Sequence, residues 1–197
     1  MCIFKIARTV PHSLVVGMER LQALKRKLSA DEPLPGKLRR ASVAITLKDP
    51  AEPSVLLIKR ADRVGDPWSG QIAFPGGKAE KGDSTLKETA IRETREEVGI
   101  DLRVDADFLG YFMPFRTHTG TLEVVPAVFL LKREVEVHPN PEVSSFRWVT
   151  LAKLIAEESR STNMVDTGDQ TRMTPTLLVD GYAVWGLTHR IITTLIG

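Results

Sequence analysis

The sequence contains a single cysteine, Cys2, among its 197 residues. One cysteine cannot form an internal disulfide, so we expect a reducing compartment and predict a cytoplasmic location. No apolar run approaches the roughly 20 residues of a membrane-spanning helix. No segment has the basic and apolar order of a secretory signal either, so we expect no association with a membrane.

Charge of one sign is not in excess. The chain has 27 Lys and Arg against 25 Asp and Glu, which gives a formal net charge of +2. Nucleic-acid-binding proteins usually carry a strong positive field, so we expect no nucleic-acid partner. With 42% hydrophobic residues the chain has the composition of a globular protein, and its length suits one domain plus an extension.

Residues 1–36 are predicted to form an N-terminal helical extension. Ser13 can cap a helix there, and prolines at 33 and 35 with Gly36 end the segment. Such a helix docks on its own domain or on a second subunit, which leaves a homodimer open. Basic residues at 25–27 allow another interpretation, a helix that binds anionic surfaces. The apolar stripe of the helix contains Leu14, Met18, Leu21 and Leu28.

Residues 74–100 are the most informative stretch, because a glycine-containing loop there precedes a helix. Thr85 and Glu88 have the spacing of a capping box, and Gly99 lies where a C-terminal glycine cap belongs. At about 100° per residue this helix has three faces. The second face pairs Glu88 with Arg92 at i,i+4 spacing, beside Arg95. The first face, which we expect to be buried, holds Ala90, Ile91, Thr94 and Val98.

Three carboxylates occupy the third face, at Glu93, Glu96 and Glu97. Neighbouring like charges on a helix cost roughly a few tenths of a kcal/mol per pair. One interpretation is a solvated acidic face. A face selected for solubility would mix signs, however, and would not need the Pro-Gly-Gly sequence of residues 75–77 just upstream. A hard divalent cation explains both features, because Mg²⁺ prefers carboxylate and carbonyl oxygens as ligands.

The same stretch resembles the signature of the Nudix hydrolases, which consists of a glycine, a spaced acid and then Arg-Glu-x-x-Glu-Glu-x-Gly. Three features differ: the spaced acid is an aspartate, Thr94 replaces the usual aliphatic residue, and the interval from acid to arginine is one residue longer. The longer interval occurs in the subgroup that resembles coenzyme A diphosphatases. The matching residues are Gly77, Asp83, Arg92, Glu93, Glu96, Glu97 and Gly99.

The resemblance implies an α/β fold, an α/β/α sandwich around a mixed β-sheet, in a domain spanning residues 37–197. It also implies hydrolysis of a nucleoside diphosphate linked to another moiety, in the presence of Mg²⁺ or Mn²⁺. Glu93, Glu96 and Glu97 would hold the metal together with the Gly77 carbonyl, and Glu96 would also be catalytic. Arg92 would orient the glutamates through charge-assisted hydrogen bonds.

Other acids near this signature are more ambiguous. Glu142 lies in a loop stiffened by Pro139 and Pro141, where members of the family often carry an additional metal ligand or the general base. We predict that Glu142 is the base, although a loop glutamate with no role is the alternative. Asp83 and Glu80 are either acids behind the metal ligands or solvated loop residues, and we favour solvation for Glu80.

The substrate prediction depends on motifs outside the signature. Leu-Leu at 56–57, Arg-Ala at 60–61, Gly70 and the Trp-Gly pair at 185–186 resemble coenzyme A diphosphatases. The interval from Ala61 to Gly70 is one residue longer, and the arginine expected within it has Arg63 as its nearest counterpart. We therefore predict coenzyme A or a derivative as the substrate. ADP-ribose, nucleotide sugars or (d)NTPs are alternatives, as is a catalytically silent protein that senses a nucleotide.

Apolar and β-branched runs predict the remaining elements. Residues 159–174 are polar and aperiodic, and we predict a mobile surface loop there. The other predicted elements are strands at 41–47, 54–60, 108–115, 122–131 and 146–149, a hairpin of 176–179 with 182–185, and helices at 151–158 and 187–195.

Overall fold

The computed structural model describes residues 12–65, 68–166 and 171–197. Its larger sheet has the strand order β3-β2-β1-β7-β5, with β4 paired to β1, β6 to β7 and β8 to β2. Among the strands of the described ranges, only β1 and β7 pair in parallel, so the sheet is mixed. Its strands are β1 (Arg39–Lys48), β2 (Ser54–Arg60), β3 (Ile72–Ala73), β4 (Gly76–Lys78), β5 (Ala106–Tyr111), β6 (Phe115–Arg116), β7 (Leu122–Leu131) and β8 (Val143–Thr150).

A smaller antiparallel sheet and the helices complete the described chain. The smaller sheet consists of β9 (Arg160–Asp166), β10 (Thr171–Val179) and β11 (Tyr182–Val184), in the order β11-β10-β9. The helices are α1 (His12–Lys25), α2 (Leu86–Val98), α3 (Leu102–Asp105), α4 (Leu151–Ile155) and α5 (Gly186–Ile196), with a 3₁₀ turn at Glu157–Ser159. None of the helices in the described ranges is long and apolar enough to cross a membrane.

The core lies on both faces of the larger sheet because its central strands are apolar at consecutive positions. Ile45 and Leu57 face one cluster, which also contains Leu21 of α1 and residues of α5. Ala44 and Leu56 face the other cluster, together with the buried side of α2. Helices therefore cover both faces, which confirms the predicted α/β/α sandwich around a mixed sheet.

The N-terminal helix differs in detail from the prediction. Its described part is His12–Lys25, so Ser13 lies within the helix and not at a cap before it. The apolar residues Leu21 and Leu24 are buried, whereas Met18 is 46% exposed. Leu28 lies beyond the helix and packs on the core, and the side chain of Leu14 is outside the described residues. The helix docks on its own domain, so the extension shares that domain's core; the boundary at residue 36 stays a prediction.

The surface loop predicted at residues 159–174 is wrong. β9 and β10 form an antiparallel hairpin whose register runs from Arg160 opposite Leu177 to Asp166 opposite Thr171. β10 contains three threonines, which favour a strand, whereas the partly buried positions of β9 include the polar residues Ser161 and Asn163, so no hydrophobic pattern marks this hairpin. Residues 167–170 of the predicted loop lie outside the described residues.

The C-terminal elements largely follow the prediction. The turn at Asp180 and Gly181 has positive φ at both residues, 48° and 81°, as a tight hairpin turn requires. It joins β10 to β11, so the predicted hairpin is confirmed. The helix predicted at 151–158 ends earlier, at Ile155, and the 3₁₀ turn follows. The last helix begins at Gly186 and confirms the predicted helix at 187–195.

Candidate active site

Helix α2 carries the predicted acids on its C-terminal half. The side chain of Thr85 accepts a hydrogen bond from the Glu88 N–H, and Gly99 adopts φ 74° with its N–H donating to the Arg95 carbonyl. Both predicted caps are therefore confirmed. The predicted buried face is also confirmed, and Leu86, Thr89 and Glu97 are buried with it.

The glycine loop lies directly against these acids. The Gly76 N–H donates to Glu97 Oε2 over 2.8 Å. Gly76 has φ 154°, and a side chain there would collide with the backbone of β1. A Cβ at Gly77 would overlap the carboxylate of Glu93. Gly76 therefore allows β4 to approach β1, and Gly77 allows the Glu93 carboxylate to approach the backbone of β4.

Arg92 links the acidic residues to one another. Its Nη1 donates to Glu93 Oε1 over 3.0 Å and to Glu96 Oε2 over 3.1 Å. Its Nε and Nη2 donate to the two oxygens of Asp83 over 3.1 and 3.0 Å. The predicted contact of Arg92 with the glutamates is present, because one guanidinium touches two of them.

The predicted ion pair between Glu88 and Arg92 is wrong. Glu88 pairs with Arg103 instead. Asp83 presents two oxygens to the planar guanidinium, and this bidentate geometry is stronger than a single exposed contact. Asp83 also accepts from the Thr89 hydroxyl and the Glu80 N–H. It is therefore a bonded residue behind the glutamates and not a solvated one, whereas Glu80 is exposed.

Burial makes ionisation of two acids in this cluster less favourable. Glu97 is only 3% exposed, and burial raises its pKa to about 7 despite the Gly76 N–H, with the charge of Glu93 adding to the rise. Burial also raises the pKa of Glu93, against the opposing effect of Arg92. The Arg92 hydrogen bond lowers the pKa of Asp83. In two of the three glutamates the protein therefore disfavours the ionised form of the carboxyl group.

The loop bearing Glu142 is fastened to the end of α2. The His138 N–H donates to the Val98 carbonyl and the Asn140 N–H to the Glu97 carbonyl, each over 2.9 Å. The Glu142 carbonyl accepts from the Ala61 N–H over 2.8 Å. The charge of Glu142 also contributes to the raised pKa of Glu97, so the two carboxylates lie within electrostatic range of each other.

Two arginines flank the same corner. Glu142 Oε1 is 3.0 Å from Arg63 Nη1, and both side chains are half exposed. The charge of Arg60 lowers the pKa of Glu97. Both arginines belong to the sequence motif discussed for the substrate, but the pairing of Arg63 with Glu142 spans 79 residues and has no signal in the local pattern.

The donor set fits a hard divalent cation. Every candidate ligand is an oxygen, two of the carboxylates have raised pKa values, and Gly77 lets the Glu93 carboxylate lie against its backbone. Within residues 12–65, 68–166 and 171–197, no group of three or more His, Cys, Asp or Glu side chains is already arranged as a metal site. Glu93 and Glu96 are bonded to Arg92, and Glu97 to Gly76, so these acids would have to exchange partners to hold a cation.

Comparison with known proteins gives consistent results. The family model described as "NUDIX domain" matches residues 37–167. An "Uncharacterized Nudix hydrolase NudL" from Yersinia enterocolitica is 31% identical over 174 residues, 86% of this chain and 88% of that one. A protein of the same name from Yersinia pestis is 40% identical over 104 residues, 53% of this chain and 51% of the relative.

Solved structures agree in fold. A MutT/nudix family protein from Enterococcus faecalis has a TM-score of 0.52 at 19% identity and covers 94% of this chain and 68% of its own. An Ap4A hydrolase from C. elegans has a TM-score of 0.50 at 17% identity, covering 60% and 84%. Similarity at these identities establishes the fold alone.

Proposed function

The chain belongs to the Nudix hydrolase family, and we propose that it cleaves the diphosphate linkage of coenzyme A or a derivative with the acids of α2. Hydrolysis of a nucleoside diphosphate derivative is the activity of this family. The observation that carries the proposal is the pair of hydrogen bonds from Arg92 to Glu93 and Glu96, beside the buried Glu97.

Glu93, Glu96, Glu97 and the Gly77 carbonyl would hold the divalent cation. When bound, Mg²⁺ or Mn²⁺ supplies positive charge at the phosphate oxygens and makes water a better nucleophile. The raised pKa values support this assignment, because a cation relieves the repulsion and desolvation that cause them.

Arg92 positions the glutamates and does not touch the substrate in this proposal. Its Nε and Nη2 donate to the two carboxylate oxygens of Asp83, and its Nη1 donates to the two glutamates. A guanidinium held on two sides loses little freedom when it orients a third group. Asp83 therefore fixes Arg92, and Arg92 fixes Glu93 and Glu96.

Glu142 accepts a proton from the attacking water in this proposal. Two backbone hydrogen bonds to the end of α2 and one to Ala61 hold its loop against the cluster, which supports a base that must lie within hydrogen-bond reach of the water. Arg63 and Arg60 supply positive charge at the same corner, where a phosphorylated nucleotide would enter.

Coenzyme A is favoured over the alternatives by sequence features rather than by geometry. The longer interval before Arg92, the glycine at 70 ahead of the Phe-Pro-Gly-Gly run and the Trp-Gly pair at 185–186 support it. Attack at the central anhydride would give 4′-phosphopantetheine and 3′,5′-ADP. A homodimer and a cytoplasmic location stay predictions.

A substrate panel tests this proposal. Coenzyme A, ADP-ribose and (d)NTPs are incubated with the protein and Mg²⁺ or Mn²⁺, and the products are identified by chromatography. We expect coenzyme A to be hydrolysed fastest. Faster turnover of ADP-ribose at equal concentration would contradict the substrate, and binding without turnover of any compound would contradict the enzyme in favour of a sensor.

A further inference from the structure

The first turn of α2 has three backbone N–H groups that no helical carbonyl can accept from, at Leu86, Lys87 and Glu88. Only the last is satisfied locally, by the Thr85 hydroxyl over 3.2 Å. The other two find partners far away in sequence. Leu86 N–H donates to Glu32 Oε2 over 2.7 Å, and Lys87 N–H donates to the Tyr111 hydroxyl over 3.3 Å.

Glu32 is the centre of this distant cap. The Tyr111 hydroxyl donates to Glu32 Oε2 over 3.2 Å, and Arg40 Nη1 donates to Oε1 over 2.7 Å. A carboxylate at this position also meets the positive end of the helix dipole. Glu32 precedes residue 37, where the family-model match begins.

The segment that carries Glu32 is itself fastened to the sheet. Ser29 and Tyr111 exchange two backbone hydrogen bonds, of 2.9 and 2.7 Å. Gly110 makes this approach possible, because a Cβ there would lie 2.7 Å from the Ser29 carbonyl oxygen. Arg40 also donates to the Pro33 carbonyl over 2.7 Å. Residues 29–33 are thus held on both sides of the acid.

The same first turn holds the contact that orients the glutamates. Asp83 lies two residues before the cap at Thr85, and its carboxylate is bonded to Thr89 one turn into the helix. Movement of residues 85–88 would therefore change the distance between Asp83 and Arg92. Arg92 would carry that change to Glu93 and Glu96, which share its Nη1.

We propose that Glu32 is a positioning residue for the active site, acting through the first turn of α2 and the Asp83–Arg92 contact. The N-terminal extension is then part of the catalytic apparatus. This inference rests on the proposed function for its kinetic readout, while a spectroscopic readout makes it testable independently.

The experiment compares Glu32→Ala and Glu32→Gln in the full chain with the parent. For Glu32→Ala we expect turnover to fall about 10-fold with KM changed less than about twofold, since small misplacements of catalytic groups reduce rate. Glu32→Gln keeps an acceptor oxygen for Leu86 and should recover most of the turnover. In ¹⁵N NMR spectra, Glu32→Ala should shift or broaden the Arg92 Nε–H signal.

The matched control is Thr150→Ala, which removes the cap of α4, where the Thr150 hydroxyl accepts from the Lys153 N–H. The melting temperatures of Thr150→Ala and Glu32→Ala should each fall by about 2–4 °C. Thr150→Ala should nevertheless leave turnover and the Arg92 signal unchanged. The proposal is overturned if Glu32→Ala lowers the melting temperature but leaves turnover and the Arg92 signal as in the parent. If the parent hydrolyses none of the tested compounds, the proposed function fails, and the Arg92 signal alone decides the role of Glu32.

Discussion

Replacing Glu97 with glutamine should stabilise the metal-free protein, by an amount that depends on pH. Burial raises the pKa of Glu97 in the folded state to about 7, from an ordinary value of 4.5. Because the pKa of Glu97 is higher in the folded than in the unfolded state, its contribution to the free energy of unfolding is fully present below about pH 4.5. That contribution is lost as the pH rises towards 7, because the unfolded chain releases the proton that the folded chain keeps.

The size of the effect follows from the same two values. One pH unit corresponds to about 1.4 kcal/mol, so the ionised carboxylate costs about 3 kcal/mol once both states are deprotonated. At pH 5 the cost is only about 1 kcal/mol, because the folded carboxyl is still protonated. Glutamine keeps an oxygen for the Gly76 N–H and removes the charge, so the gain should be about 2 kcal/mol larger at pH 8 than at pH 5.

Urea denaturation of the chelator-treated protein at the two pH values measures this difference. Glu96→Gln is the matched control, because Glu96 is 55% exposed and should gain little. Addition of Mg²⁺ should stabilise the parent and leave Glu97→Gln almost unchanged. An equal change in the free energy of unfolding at both pH values would refute the reasoning, since it would show that the charge of Glu97 carries no such penalty.

Three further predictions concern turnover. Glu142→Gln should lower kcat by roughly 10²-fold, the usual effect of losing a general base, with the Mg²⁺ dependence intact; unchanged kcat would assign the base elsewhere. Gly77→Ala should displace the Glu93 carboxylate and lower kcat at least about 10-fold, and a parental rate would contradict the crowding seen there. Arg92→Lys should also lower kcat, because an ammonium group lacks the planar set of donors with which the guanidinium contacts Asp83 and both glutamates. A parental kcat in Arg92→Lys would argue against the importance of that geometry.

Local signals explain why helix α2 and its acids could be predicted from sequence. The caps at Thr85 and Gly99 and the spacing of the glutamates are all set within one helix. Even the unusual Thr94 is explained by a local contact, since its buried hydroxyl donates to the Ala90 carbonyl over 2.7 Å.

Contacts between distant segments could not be predicted in this way. Glu32 meets α2 across 54 residues, and Tyr111 meets Glu32 across 79. Neither pairing leaves a periodic pattern in the sequence. The hairpin of β9 and β10 has no sequence signal for a different reason: β9 alternates between partly buried and exposed positions, but Ser161 and Asn163 occupy two of the partly buried ones, so apolar alternation is absent.

The most direct test of the central claim is turnover of the substrate panel by Glu96→Gln beside Glu88→Gln. Both variants replace a glutamate by its amide on the same helix, but Glu88 lies on another face and pairs with Arg103. With Mg²⁺ present, Glu88→Gln should retain the parental rate, and Glu96→Gln should lose several orders of magnitude while keeping the fold. Near-normal turnover by Glu96→Gln at moderate Mg²⁺ would contradict the assignment of the α2 carboxylates as the metal site.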